Sequence, residues 1–67
     1  GVTAGVSDII LFHRSKFFAL ELKAPKGRAS ETQWAFIDAV NREGGYGSIA
    51  WGLDEALDAL KLWGLIK

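Results

Sequence analysis

Asp8-Ile9-Ile10-Leu11-Phe12-His13-Arg14-Ser15-Lys16-Phe17-Phe18-Ala19-Leu20-Glu21-Leu22-Lys23 is the stretch that decides how this chain folds. Two short apolar runs, Ile9-Ile10-Leu11-Phe12 and Phe17-Phe18-Ala19-Leu20, read as strands. Such runs normally bury their side chains. The polar His13-Arg14-Ser15-Lys16 between them fits a four-residue hairpin loop. If Phe12 and Phe17 close that loop, Asp8 falls directly opposite Glu21. Opposed residues of an antiparallel pair share a face, with Cβ atoms about 4.5–5.5 Å apart. Lys23, two residues beyond Glu21, shares that face because strand side chains alternate. Like charges placed opposite each other are destabilising, and buried carboxylates are costly unless paired. A cation between them removes both costs. Two acids and a lysine at a strand edge are the usual parts of a site that holds a divalent metal and activates a water. The arrangement depends on register, since a one-residue slip moves Asp8 to the other face.

Outward from this hairpin, the first strand is expected over Val6 to Phe12 and the second over Phe17 to Lys23. In the second, Phe18, Leu20 and Leu22 share one face; Phe17, Ala19, Glu21 and Lys23 share the other. Both faces are largely apolar, as in a strand covered on both sides. Ala24-Pro25-Lys26-Gly27-Arg28 reads as a loop. Ser30-Glu31-Thr32-Gln33 has the capping-box spacing of a helix start. That helix is expected to reach about Arg42 and stop at Gly44-Gly45. Its buried stripe is Gln33, Ile37 and Val40, with Trp34 beside it. Tyr46 to Trp51 reads as a third strand, parallel to the second through a right-handed crossover. Asp54 is the expected N-cap of a second helix, with the stripe Leu57, Leu60 and Gly64, flanked by Ala56 and Trp63. The order is β-β-α-β-α: a small α/β domain over residues 1–67, with an antiparallel hairpin plus a parallel strand in one mixed sheet.

Composition narrows the chemistry. With 67 residues, the core is small. There is no cysteine and a single histidine, His13, so neither a thiolate nor a multi-histidine zinc site can form. Any metal would be oxygen-liganded, which points to Mg²⁺ or Mn²⁺. The apolar runs are far too short for a membrane span, and nothing resembles a signal peptide. An intracellular, cytoplasmic location is the default expectation, with no membrane partner. The chain starts at Gly1 without methionine, so a trimmed domain lacking upstream elements is expected. The formal net charge is zero, yet residues 1–28 carry five basic groups against two acids, and the remainder three against six. That asymmetry is either a modest footprint for a phosphate-bearing ligand or ordinary solvated charge.

Ser7-Asp8, then Glu21-Leu22-Lys23 at the end of the next strand, then Gln33 in the following helix, resemble the PD-(D/E)XK nuclease superfamily. Within it, the chain is most similar to the VRR-NUC family. Gly5-Val6-Ser7-Asp8 resembles that family's Gly-x-Pro-Asp. Phe18, Glu21 to Pro25, Gly27-Arg28, Ser30, Gln33, Gly45-Tyr46 and the helix from Asp54 resemble the stand-alone versions carried by phages and bacteria. The resemblance spans nearly the whole chain. Serine stands where the family has proline before Asp8, and the family's usual upstream helix, which commonly supplies a supporting acid, is absent from this sequence.

The resemblance implies a restriction-endonuclease-like core and Mg²⁺- or Mn²⁺-dependent hydrolysis of DNA phosphodiesters. It implies a preference for branched, flapped or Holliday-junction DNA, a role in DNA repair, and a phage or prophage origin. Asp8 and Glu21 would hold the metal, with the Leu22 carbonyl as a further ligand. The plainer reading makes Asp8 a strand-entry cap and Glu21 a solvated strand end. Lys23 would orient or help deprotonate the attacking water, or simply pair with Glu21 or Asp8. Gln33 would position water or substrate, or simply close the capping box with Ser30. Lys26, Arg28 and Ser30 would hold DNA phosphates at the loop and helix start, or form a plain charged loop. Trp34, Trp51 and Trp63 read as core or subunit interface in preference to base-stacking platforms. A homodimer is expected, since junction cleavage needs two sites. The alternative is a catalytically inactive DNA-binding or assembly domain of the same fold.

Overall fold

The computed structural model describes residues 8–67. The expected strand start at Val6, and Ser7, lie outside the described residues. The elements are β1 (Ile9–His13), β2 (Lys16–Lys23), α1 (Glu31–Arg42), β3 (Tyr46–Trp51) and α2 (Leu53–Leu62). They form a three-stranded mixed sheet, ordered β1-β2-β3. β1 pairs antiparallel with β2, and β3 parallel with β2.

The hairpin turn is tighter than the expected four-residue loop. His13 pairs with Lys16, leaving only Arg14 and Ser15 at the tip. Both take positive φ, 51° and 64°, the left-handed pair that a type I′ turn requires. The register is unaffected by this tightening: Phe12 pairs with Phe17 and Ile9 with Leu20.

β2 is the central strand and is covered on both faces. Ala19 packs with Ile37, Val40 and Ile49 under α1, with Phe17, Phe36 and Trp51 around them. Leu20 packs with Ala50 and Ala56 under α2, with Ala59, Leu60 and Trp63 around them. A run that is apolar at every position fits a strand buried between two layers.

β1 departs from expectation. Its apolar run predicted burial, yet every residue from Ile9 to His13 is exposed, Ile10 by 46% and Phe12 by 72%. Both helices lie over β2 and β3, so the edge strand is bare on both faces among the described residues. The opposite edge is treated differently. The Asn41 side chain bonds both backbone groups of Gly47, accepting from its N–H at 2.8 Å and donating to its carbonyl at 3.1 Å. Glu55 accepts from the Trp51 N–H at 3.1 Å.

α1 starts as its sequence predicts. Ser30 is the N-cap and the full capping box forms with Gln33. α2 does not start at an Asp54 cap. Its N-cap is Gly52, with φ 87° and no side-chain cap bond, which puts Asp54 inside the first turn. The chain must reverse within one residue of β3, and glycine reaches that left-handed backbone without penalty. The α2 stripe is rotated from Leu57 and Gly64 onto Ala56, Ala59, Leu60 and Trp63.

Candidate functional site

The hairpin register and the alternation of β2 bring the singled-out residues to one end of the sheet. Continuing the ladder one step beyond Ile9–Leu20 sets Asp8 against Glu21, on the face that α1 covers. Asp8 is exposed, and its Oδ2 accepts a hydrogen bond from the Leu22 backbone N–H at 2.9 Å. This bond ties the entry of β1 to the end of β2. In an extended strand, the N–H and C=O of one residue point to the same edge. The Leu22 carbonyl therefore faces the Asp8 edge as well.

Glu21 is 4% exposed. A carboxylate so buried needs partners, and it has two. Gln33 Nε2 donates to Oε1 at 2.6 Å. Lys23 Nζ lies 3.8 Å from the same oxygen, an ion pair longer than a hydrogen bond. Among the described residues, no side chain or backbone donor meets Glu21 Oε2.

Gln33 closes the capping box and its side chain also reaches Glu21. Its Oε1 accepts from the Ser30 backbone N–H at 2.8 Å, and its backbone N–H donates to Ser30 Oγ at 3.2 Å. The Ser30 N–H can only donate, so the amide oxygen must face it. The amide nitrogen is then the atom turned to Glu21. The cap thus sets the orientation of a side chain that reaches the site.

Lys26 and Arg28 are exposed on the loop between β2 and α1. The loop is closed by a Gly27 N–H to Ala24 carbonyl bond of 2.8 Å. Ser30 is engaged by its cap and by Thr32 Oγ1 at 3.1 Å.

Two residues of this region, Trp51 and Trp34, were read from the sequence as core or subunit interface. Trp51 pairs with Lys23 across the β2–β3 ladder. Its indole N–H donates to the Gly27 carbonyl at 2.8 Å, and its ring meets Trp34 at a centroid distance of 6.1 Å. The signal available beforehand was positional. A parallel crossover puts the C-terminal ends of β2 and β3 side by side, and Trp51 closes β3.

No cluster of three or more carboxylate or imidazole side chains occurs among the described residues. The oxygens that could face a cation here are those of Asp8, Glu21 and the Leu22 carbonyl. All are hard oxygens, two are carboxylates, and the Glu21 Oε2 edge is unengaged. Such a set fits a small divalent ion that keeps several waters and takes one or two carboxylates plus substrate phosphate. No helix among the described residues is long and apolar enough to cross a membrane. No family model, curated protein or solved structure matches this chain.

Proposed function

We propose that the chain is a metal-dependent nuclease domain with a restriction-endonuclease-like core, hydrolysing DNA phosphodiesters with Mg²⁺ or Mn²⁺. The observation that carries this reading is the convergence at the end of β2. Asp8 stands against a buried Glu21, and Lys23 and Gln33 both reach Glu21 Oε1. The resemblance of Asp8, Glu21-Leu22-Lys23 and Gln33 to the PD-(D/E)XK pattern adds to it.

Asp8, Glu21 and the Leu22 carbonyl would hold the ion. Once bound, it supplies charge stabilisation at the phosphate and acidifies an attacking water. Glu21 Oε1 is held by the Gln33 amide and lies 3.8 Å from Lys23 Nζ, which leaves Oε2 for the ion. Lys23 orients or helps deprotonate the water and stabilises charge developing on the scissile phosphate. Gln33, held by its cap, positions that water. Lys26, Arg28 and the α1 start at Ser30 hold flanking phosphates. Selectivity rests on DNA shape, with branched, flapped and four-way-junction structures as the favoured class, as the resemblance implies. Pairing of two copies supplies the two sites that junction cleavage needs, and the bare β1 edge supports such pairing.

The test is cleavage of labelled linear, flapped and four-way-junction DNA with Mg²⁺, Mn²⁺ or EDTA, comparing wild type with Lys23→Ala. The expected result is metal-dependent cutting, strongest on branched DNA, and a loss of about 100-fold or more in the variant. DNA binding without cutting by folded protein would identify the non-catalytic domain instead.

A further inference from the structure

Trp34 is 51% exposed, although it follows directly on Gln33 and sits in the first turns of α1. One side of its ring is backed by Trp51, at 6.1 Å and a tilt of 42°. Trp51 is itself pinned, its indole N–H bonded to the Gly27 carbonyl. Gly27 lies between Lys26 and Arg28, both exposed. An indole with about half its surface open thus rests on a ring anchored to the basic loop, one residue along α1 from the glutamine that reaches Glu21. A surface tryptophan exposes apolar area to water. Packing alone does not account for one braced in this way, since a smaller apolar residue would cover Trp51 equally well.

We propose that Trp34 is a stacking platform for an unpaired nucleobase next to the phosphate held at the Asp8–Glu21 site. This deepens the nuclease reading and rests on it. A π-face backed by a second ring and flanked by cations is the combination that binds single-stranded nucleic acid without base preference. Bases inside a duplex are already stacked and cannot use it. The platform therefore selects DNA with an unpaired nucleotide beside the cleavage point, such as a fork, a flap or a frayed junction arm.

The test is fluorescence anisotropy in Ca²⁺, a divalent ion that takes the same hard oxygen ligands, with a labelled forked DNA and a blunt duplex, using wild type, Trp34→Leu and Trp34→Phe. Leucine keeps apolar cover over Trp51 and removes the π-face; phenylalanine keeps a face. The expected result is tighter wild-type binding to the fork. Trp34→Leu should lose about 5- to 100-fold on the fork alone, and Trp34→Phe should retain most of the affinity. Equal fork affinity of wild type and Trp34→Leu would overturn the platform and leave the nuclease reading standing. Failure of folded wild type to bind either DNA would overturn both. A change of mass in light scattering that tracks the affinity loss would assign the ring to contact between copies and overturn the platform. Quenching of 2-aminopurine at the unpaired position by wild-type protein supports the platform without any variant, and unchanged fluorescence on saturation counts against it.

Discussion

Both ends of the Gln33 amide are engaged, one by the helix start and one by Glu21. Its removal therefore has two separable costs. Gln33→Ala should destabilise by about 1–3 kcal/mol in chemical denaturation, from a lost cap contact and a lost donor to a buried carboxylate. Gln33→Glu keeps an oxygen for Ser30 but turns a carboxylate toward Glu21. It should be the less stable of the two despite its closer size. Equal stability would mean that the Glu21 contact contributes little. At this scale the sequence was partly legible. Strand alternation was enough to place Asp8, Glu21 and Lys23 on one face. It could not tell whether Gln33 caps or reaches the site, because both follow from the same three-residue spacing and the geometry permits both. Trp34, read as core or subunit interface, is half exposed; sequence does not say which face of a helix is left uncovered.

The elements were read with mixed success, and each miss has a local cause. β3 and the start of α1 stand where their patterns put them. α2 begins two residues early because Asp54 resembles a cap while Gly52 supplies the required left-handed backbone. The hairpin tip looked longer than it is because Arg14 and Ser15 are poor residues for positive φ. That strain is testable. Arg14→Asn with Ser15→Gly supplies the favoured pair for such a turn. Thermal unfolding should show stabilisation by about 0.5–2 kcal/mol, summed over two positions relieved of positive-φ cost. No gain would mean that the tip relaxes in solution.

At the scale of the whole fold, the two layers cover β2 and β3 and, among the described residues, leave β1 bare. Its sequence could not reveal this, since an apolar run looks the same whether covered by its own chain or by another. An edge strand with large apolar side chains on both faces is a template for further pairing. Light scattering at micromolar concentration should give the mass of a pair. Ile10→Lys should return it to a monomer while changing the stability of the fold by only about 0.5–1 kcal/mol. A wild-type monomer would remove this support for a two-site enzyme.

Asn41 and Glu55 give that edge a further consequence. By occupying both outward backbone groups of Gly47 and the N–H of Trp51, they leave the β3 side with fewer free groups for another strand to join. A sheet open at both margins can add copies head to tail without limit and grow into a fibre. A sheet open at only one can meet nothing but the same margin of another copy, and growth then halts at two. In a pair joined through β1, two side-chain contacts on the far flank would thus act as a terminator for assembly and would set the stoichiometry from the side opposite to the joint.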